Sequence, residues 1–107
     1  MQNFLFICSR NKWRSPTAEK IWQRSNIINT RSAGTSPNAK RVVSVKDVEW
    51  ADVIFVMEEK HKNRLKAKFT RLLDFKEIVV LDVPDDFGFM DKELVELLED
   101  LMAPYLA

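Results

Sequence analysis

The sequence has few of the residues that build disulfide-linked or metal-stabilised folds, with one cysteine, one histidine and two glycines among 107 residues. A single cysteine excludes an internal disulfide, a cysteine-rich zinc site and a redox cycle that needs two thiols in one chain. The low glycine and proline content, with 46% hydrophobic and 31% charged residues, excludes collagen-like and low-complexity classes. We therefore expect one globular domain over residues 1–107.

Long hydrophobic runs are also lacking. The first apolar run, residues 4–7, is far shorter than the core of a signal peptide, and no segment approaches the length of a membrane span. Together with the single thiol, this favours a cytoplasmic protein that has no membrane partner. No residue pattern predicts a metal or a cofactor.

A net charge of +1 conceals an uneven distribution. Residues 1–46 carry nine Lys and Arg against one acid, whereas residues 47–107 carry eight against fifteen acids. A cationic first half raises the question of nucleic-acid binding. Because the basic residues alternate with apolar strands and no aromatic platform is visible beside them, we do not expect a nucleic-acid partner.

Short apolar runs alternate with amphipathic stretches, which predicts an α/β fold. Residues 4–7, 53–57 and 78–81 predict three buried parallel strands, and the more polar residues 28–33 predict an edge strand. Helical spacing predicts a helix from about Ser15 or Pro16, a second over 65–73 and a third over 94–105. Residues 40–50 are compatible with a short helix.

The loop after the first strand, residues 8–16, reads Cys-Ser-Arg-Asn-Lys-Trp-Arg-Ser-Pro. Ligands of open parallel sheets bind outside the carboxyl ends of the strands, and a loop that opens a helix directs several N–H groups at an anion. Arg14 offers two parallel donors to an oxyanion, and Arg10 and Lys12 add positive charge. The loop therefore predicts an anion site.

Cys8 stands inside this predicted site. An electropositive loop favours the thiolate, which is the nucleophilic form, and the Ser15 hydroxyl can donate to the sulfur. The alternative is that Cys8 is simply the last core residue of its strand, since free cysteine is often buried. Asn11, which tolerates a left-handed conformation, and Pro16, which suits a first helical turn, favour the nucleophile.

The chain resembles the low-molecular-weight protein tyrosine phosphatases over nearly its whole length. Four blocks carry the resemblance: Cys8-x-x-Asn11-x-x-Arg14-Ser15-Pro16, Ser32–Thr35, Ala51–Glu58 and Val83–Phe87. The resemblance implies a four-stranded parallel sheet with helices on both faces and a phosphate-binding loop after the first strand. It also implies hydrolysis of a phosphomonoester in two steps, in which Cys8 attacks phosphorus, Arg14 holds the oxygens and Asp85 is the general acid. The implied substrate-binding residues are Ser9, Arg10, Asn11, Lys12, Trp13, Ser15 and Phe87.

The chain departs from the family pattern at several positions. Arg10 stands where the family usually has glycine, and Asp86 stands where it usually has proline. Of the two adjacent aromatics that follow in the family, Phe87 remains and Gly88 replaces the other. The stretch between Thr35 and Asp52 is shorter and lacks the family's aromatic specificity residue and a supporting histidine. Trp13 is a candidate replacement for part of the substrate-pocket wall, and either Asp85 or Asp86 remains a candidate for the acid.

These features favour a cysteine-dependent phosphatase that acts on phosphotyrosine in proteins or on a small aryl phosphate. The alternative hypothesis is a catalytically impaired module of the same fold that binds phosphate or a phosphoprotein. A phosphocysteine carrier of the phosphotransferase type is less favoured because a carrier has less need of Arg14. Arsenate reduction, known among relatives of the family, consumes additional cysteines that this chain lacks.

Overall fold

Strands and helices alternate along the whole chain in the computed structural model, which describes residues 1–107. Their bounds, in chain order, are β1 Gln2–Cys8, α1 Arg14–Trp22, β2 Ile28–Gly34, α2 Val45–Trp50, β3 Val53–Val56, α3 Glu59–Phe69, a 3-10 turn Thr70–Leu73, β4 Glu77–Val80 and α4 Lys92–Leu106. All strands are parallel and lie in the order β2-β1-β3-β4. None of the helices combines the length and apolar character needed to cross a bilayer.

The two faces of the sheet carry separate hydrophobic cores. Phe4, Phe6 and Phe55 point to one face, where α1 and α4 cover them with residues such as Ala18 and Leu98. The alternate strand residues point to the other face and pack against α2 and α3 through Val48, Leu65 and Phe69. This period of two within continuous apolar runs explains why the central strands are apolar at every position. The predicted helices on both faces are confirmed.

Of the two strands at the edges of the sheet, only one was predicted to be an edge strand. β2 is an edge strand, as its polar residues indicate. β4 was predicted to be a buried strand, and that prediction is wrong: it pairs with β3 alone, and Ile78, Val79 and Val80 are only half-buried. An apolar run of four residues is compatible with either position, because half-buried edge residues are also apolar.

The carboxyl ends of β1, β2 and β3 lie close together at the same end of the sheet. Cys8 ends β1 in register with Gly34, the last residue of β2, and Met57 follows β3 beside Ile7. α1 begins at Arg14, one residue before the predicted start, so a loop of only five residues, 9–13, joins β1 to the helix. This end of the sheet carries the candidate site.

Candidate active site

The loop of residues 9–13 turns at Asn11, which has a φ of 54° and is the single residue of the loop in the left-handed region. The buried Asn11 side chain donates from Nδ2 to Ser15 Oγ at 3.0 Å and to Ser32 Oγ at 2.9 Å. Arg10 is not among the residues with positive φ, so the loop does not require the glycine that the family usually has there. The turn is therefore held by Asn11, and Arg10 is accommodated without backbone strain.

The outer side of the loop is bonded to the segment that follows β2. The carbonyl oxygens of Cys8, Ser9 and Arg10 accept hydrogen bonds of 2.9 to 3.0 Å from backbone N–H groups, those of Thr35, Ser36 and Lys40. The chain passes so closely here that a Cβ on Gly34 would lie 2.5 Å from the Ser9 carbonyl oxygen. Gly34 thus allows the two backbones to approach, and the loop is rigidly supported from outside.

The inner side of the loop has the opposite character. None of the backbone N–H groups from Ser9 to Ser15 donates a hydrogen bond to another group of the protein. The N–H groups of a loop that opens a helix are a ready-made site for an oxyanion. The loop that follows Cys8 therefore has backbone donors without partners in the protein.

The Cys8 sulfur is buried at the base of this loop and lies 2.9 Å from Ser15 Oγ. Ser15 Oγ already accepts a hydrogen bond from Asn11, and its distance to the Ala33 carbonyl oxygen is a long 3.5 Å. The Ser15 hydroxyl is therefore best placed to donate to the sulfur. A thiolate at this position would be stabilised by that donor and by the N-terminus of α1.

Arg14 is almost fully buried, and its guanidinium is held on one side. Nη1 donates to Glu58 Oε1 at 2.5 Å and to the Val83 carbonyl oxygen at 2.7 Å, whereas Nη2 donates to no protein atom. The hydrogen bond from Arg14 holds the pKa of Glu58 below its ordinary value, so this carboxylate remains charged against the guanidinium. The fixed orientation leaves Nη2 without a hydrogen-bond acceptor, while Nε lies 3.6 Å from Asp85 Oδ1, beyond hydrogen-bond distance, so both can donate to an anion.

His61, at the start of α3, supports the loop from below. Its Nδ1 accepts the backbone N–H of Glu58 at 3.0 Å, so the proton of a neutral ring must be on Nε2, which lies 2.8 Å from Ser9 Oγ. Burial of the ring lowers the pKa of His61 to about 4. The neutral ring therefore donates to Ser9 Oγ and leaves the Ser9 proton free to donate elsewhere.

The cavity over Cys8 has a volume of about 30 Å³ and is lined by Cys8, Ser9, Arg10, Lys12, Trp13, Arg14 and Asp85. Because one water needs roughly 10–15 Å³ by this measure, the cavity fits a small anion rather than an extended ligand. Asp85 comes from the loop after β4, and its Oδ1 lies 3.6 Å from Arg14 Nε. The residues come from chain segments far apart in sequence, and cations outnumber acids around the sulfur.

Searches with this chain find no matching family model and no matching curated protein. Solved structures do match. SP-PTP, a low molecular weight protein tyrosine phosphatase from Streptococcus pyogenes, is 20% identical and aligns with a TM-score of 0.80 over 100% of this chain and 95% of that one. A YwlE mutant from Bacillus subtilis is 24% identical, with a TM-score of 0.72 over 98% and 99% of the two chains.

A cysteine-to-serine mutant of the YwlE arginine phosphatase, with a phosphorylated active-site serine, is 25% identical with a TM-score of 0.72, and the alignment covers 96% of this chain and 95% of that one. The chain has the low-molecular-weight protein tyrosine phosphatase fold. The resemblance noted from the sequence is thus confirmed at the level of the fold, including the four-stranded parallel sheet.

Within this phosphatase fold, most of the residues predicted for the site line the cavity, but Asn11, Ser15, Phe87 and the second candidate acid, Asp86, do not. Asn11 and Ser15 are buried behind the loop and bond to each other and to Cys8 or Ser32, so they position the loop instead of lining the cavity. Phe87 packs against the core cluster of the α1 and α4 face, and no part of it lines the cavity. Asp86 is exposed and also lies outside the cavity lining, which separates it from Asp85.

Two residues that hold the phosphatase loop were missed from the sequence, Glu58 and His61. Both follow β3, at the edge of the sheet where ligands bind in such folds, and they are three residues apart across the start of α3. That spacing allows the His61 ring to accept the Glu58 N–H. A polar pair at a strand's carboxyl end, directly before a helix, is the signal that indicates them.

Proposed function

We propose that this protein is a cysteine-dependent phosphatase that hydrolyses phosphomonoesters through a phosphocysteine intermediate. The observation that carries the proposal is the row of unpartnered N–H groups from Ser9 to Ser15 around a buried cysteine, with the guanidinium of Arg14 fixed beside it. Phosphoryl transfer depends mainly on positioning and on stabilisation of charge, and this site supplies both from its own residues.

In the first step the Cys8 thiolate attacks phosphorus, and the bond between phosphorus and the ester oxygen breaks. The free N–H groups and Arg14 hold the three equatorial oxygens as charge spreads over them. Asp85, in protonated form, gives its proton to the leaving oxygen. Asp85 lines the cavity and Asp86 does not, which supports this role for Asp85 over the same role for Asp86.

In the second step a water molecule attacks the phosphocysteine. Asp85, now a carboxylate, takes the proton of that water, and the sulfur leaves as a thiolate. The Ser15 hydroxyl, 2.9 Å from the sulfur, stabilises the departing negative charge. Inorganic phosphate then leaves the cavity, and the enzyme returns to its starting state with Asp85 protonated.

The substrates that we propose carry an aromatic group near the phosphate. The resemblance favours phosphotyrosine or a small aryl phosphate, and the ring of Trp13 at the cavity offers a contact to an aromatic group of the substrate. One of the similar structures is that of an arginine phosphatase, so a phosphoarginine peptide belongs in the same comparison. Initial rates on the three substrate types, measured side by side, test this specificity.

The alternative function is a module of the same fold that binds a phosphate group without hydrolysing it. The test is hydrolysis of p-nitrophenyl phosphate by the wild type and by Cys8→Ser at mildly acidic pH. We expect turnover by the wild type and none by the variant. Tight binding of vanadate or phosphate without turnover by the wild type would favour the binding module, and equal turnover by both proteins would refute the proposed role of Cys8.

A further inference from the structure

A second depression, which we call the lateral groove, adjoins the Cys8 cavity and has a volume of about 350 Å³. It shares Lys12 and Trp13 with the cavity and extends between α1 and the segment after β2, as far as Lys40 and Phe89. Its volume lies within the range of about 300–1,000 Å³ typical of small-molecule sites. The cavity and the lateral groove therefore share part of one wall.

Two aromatic side chains of the lateral groove are open to solvent. Trp13 is 42% exposed and Phe89 is 50% exposed. The aromatic ring pairs of the protein involve other residues, so neither ring is stacked on another aromatic ring of the fold. Lys12 Nζ lies 5.2 Å from the Trp13 ring centre. The groove thus offers aromatic faces to a planar ligand group, with a cation beside one of them.

The charge around the groove is positive and is not neutralised by the protein. Lys12 and Lys40 line the groove and Arg10 lines the neighbouring cavity, and none of the three makes a salt bridge. The one acid that lines the groove, Glu19, accepts a hydrogen bond from Ser32 Oγ at 2.5 Å. These three cations therefore make the surface beside the cavity positive, which favours an anionic substrate.

We propose that the substrate is a nucleoside phosphate, whose phosphomonoester enters the Cys8 cavity while its base stacks in the lateral groove on Trp13 and Phe89. Exposed aromatics together with unpaired cations are the surface on which nucleotides bind. The inference rests on the proposed phosphatase function and specifies its substrate. It also revises the expectation of no nucleic-acid partner, which was based on the absence of an aromatic platform, because folding brings Trp13 and Phe89 to one groove.

A phosphotyrosine peptide fits the same surface less well. Its ring is bonded directly to the phosphate oxygen and would stand in the mouth of the cavity, where Trp13 is the only aromatic lining residue. In a nucleotide the sugar lies between the phosphate and the base. The base is therefore held away from the phosphate, as binding in a groove beside the cavity requires. A free mononucleotide and the phosphorylated end of an oligonucleotide both carry a phosphomonoester and a base in this arrangement.

The first experiment compares kcat/KM of the wild type on four substrates: a nucleoside monophosphate, a short oligonucleotide with a terminal phosphate, p-nitrophenyl phosphate and a phosphotyrosine peptide. We expect a nucleotide substrate to exceed the last two by about tenfold or more, within the range that one base–aromatic stack contributes. Equal values for the two nucleotide substrates would identify a mononucleotide, and an oligonucleotide advantage that is lost at high salt would identify a strand end. A higher value for the phosphotyrosine peptide would overturn the inference.

The second experiment substitutes Phe89, one of the two aromatic residues of the groove. Phe89→Ala should lower kcat/KM on the preferred nucleotide by about five- to a hundredfold, mainly through KM, because a stacking contact is removed. The loss on p-nitrophenyl phosphate, whose ring is too close to phosphorus to reach Phe89, should be at least several times smaller. Phe75→Ala is the matched control, since Phe75 is fully exposed and outside the groove. Equal losses on both substrates for Phe89→Ala would contradict the inference.

A binding measurement separates failure of this inference from failure of the proposed function. Calorimetric titration of Cys8→Ser with inorganic phosphate and with the nucleoside monophosphate needs no turnover. We expect the nucleotide to bind at least tenfold more tightly than phosphate and Phe89→Ala to reduce that advantage. If both ligands bind equally, the groove takes no base, whereas a wild type that binds the nucleotide but hydrolyses none of the four substrates would refute only the phosphatase.

Discussion

At the scale of single residues, the candidate site consists of groups that line the cavity and groups that hold them in place. Cys8, Arg14 and Asp85 line the cavity, whereas Glu58 and His61 fix Arg14 and the loop from behind. The lining residues within the loop were predictable because they are contiguous in sequence and open a helix. The holding residues were not, because their role depends on which side chains the sheet brings beside the loop.

The role of Asp85 can be tested by removal of its charge. Asp85→Asn keeps the shape of the side chain but cannot transfer a proton, so we expect turnover to fall by about 10²–10⁴-fold, the usual contribution of general acid–base catalysis. Binding of phosphate should persist, since the donors of the loop are unchanged. Asp86→Asn is the matched control and should retain nearly full turnover. A reversed ranking of the two variants would assign the acid to Asp86.

The buried His61 predicts a pH dependence of stability. Its pKa falls to about 4 in the folded protein from an ordinary value near 6.5, so the unfolded chain binds a proton between these values and the folded protein does not. Stability should therefore decline as pH falls from about 6.5 to 4, by an amount on the order of 2–3 kcal/mol, and this contribution should be constant below pH 4. Urea unfolding over this pH range measures it.

His61→Gln provides the control, because glutamine stays neutral and keeps one donor and one acceptor. This variant should lose less stability than the wild type between pH 6.5 and 4. His61 is the only histidine of the chain, so its imidazole signals in a proton NMR titration are unambiguous. A titration midpoint near 6.5 would contradict the buried, neutral ring.

At the scale of elements, the site depends on how closely the end of β2 approaches the phosphate-binding loop. A Cβ on Gly34 would lie 2.5 Å from the Ser9 carbonyl oxygen and 2.6 Å from the Ala39 Cβ. Gly34→Ala should therefore displace the loop, destabilise the protein by about 1–3 kcal/mol and weaken phosphate binding. Unfolding midpoints and calorimetric phosphate titrations measure the two effects.

Gly88→Ala is the matched control for this element contact. A Cβ on Gly88 meets nothing within 4 Å, and neither glycine has a positive φ. The control variant should retain the stability and phosphate affinity of the wild type. If Gly34→Ala behaved like Gly88→Ala, the loop would not be held by its contact with the end of β2.

The strands and helices themselves followed from local patterns. Continuous apolar runs predicted the central strands β1 and β3, because both faces of the sheet are covered. The same reasoning failed for β4, since a run of four residues does not reveal whether a further strand lies beside it. Phe87 was expected at the substrate, but its partly buried side chain packs against the core cluster that α1 and α4 cover, outside the cavity lining. Neighbours distant in sequence decide both outcomes.

At the scale of the whole molecule, the basic residues of the first half of the chain have different environments. Arg31 and Arg41 are neutralised by the buried carboxylate of Asp47, which also belongs to the capping box of α2. Arg10, Lys12 and Lys40 remain unpaired around the cavity and the lateral groove. Sequence alone gives the excess of cations, but only the fold shows which of them are available to a ligand.

Binding of an anion at the loop should stabilise the entire domain. Phosphate at a hundredfold excess over its Kd should add about 2.7 kcal/mol to the free energy of unfolding, if the unfolded chain does not bind it. For a domain of this size, that corresponds to a rise in Tm of roughly 10 °C. Arg14→Lys, which loses the paired donors, should show a much smaller rise, whereas Arg24→Lys, on an exposed residue beyond α1, should match the wild type.

The central claim is that Cys8 forms a covalent bond to the phosphoryl group of the substrate. Rapid acid quenching of the Asp85→Asn variant during turnover of p-nitrophenyl phosphate, followed by mass spectrometry of its peptides, tests this most directly. We predict a peptide that contains Cys8 and carries one added phosphoryl group, and we predict no such adduct in Cys8→Ser treated in the same way at early times. Turnover without any phosphorylated Cys8 peptide, or equal turnover by Cys8→Ser, would contradict the account.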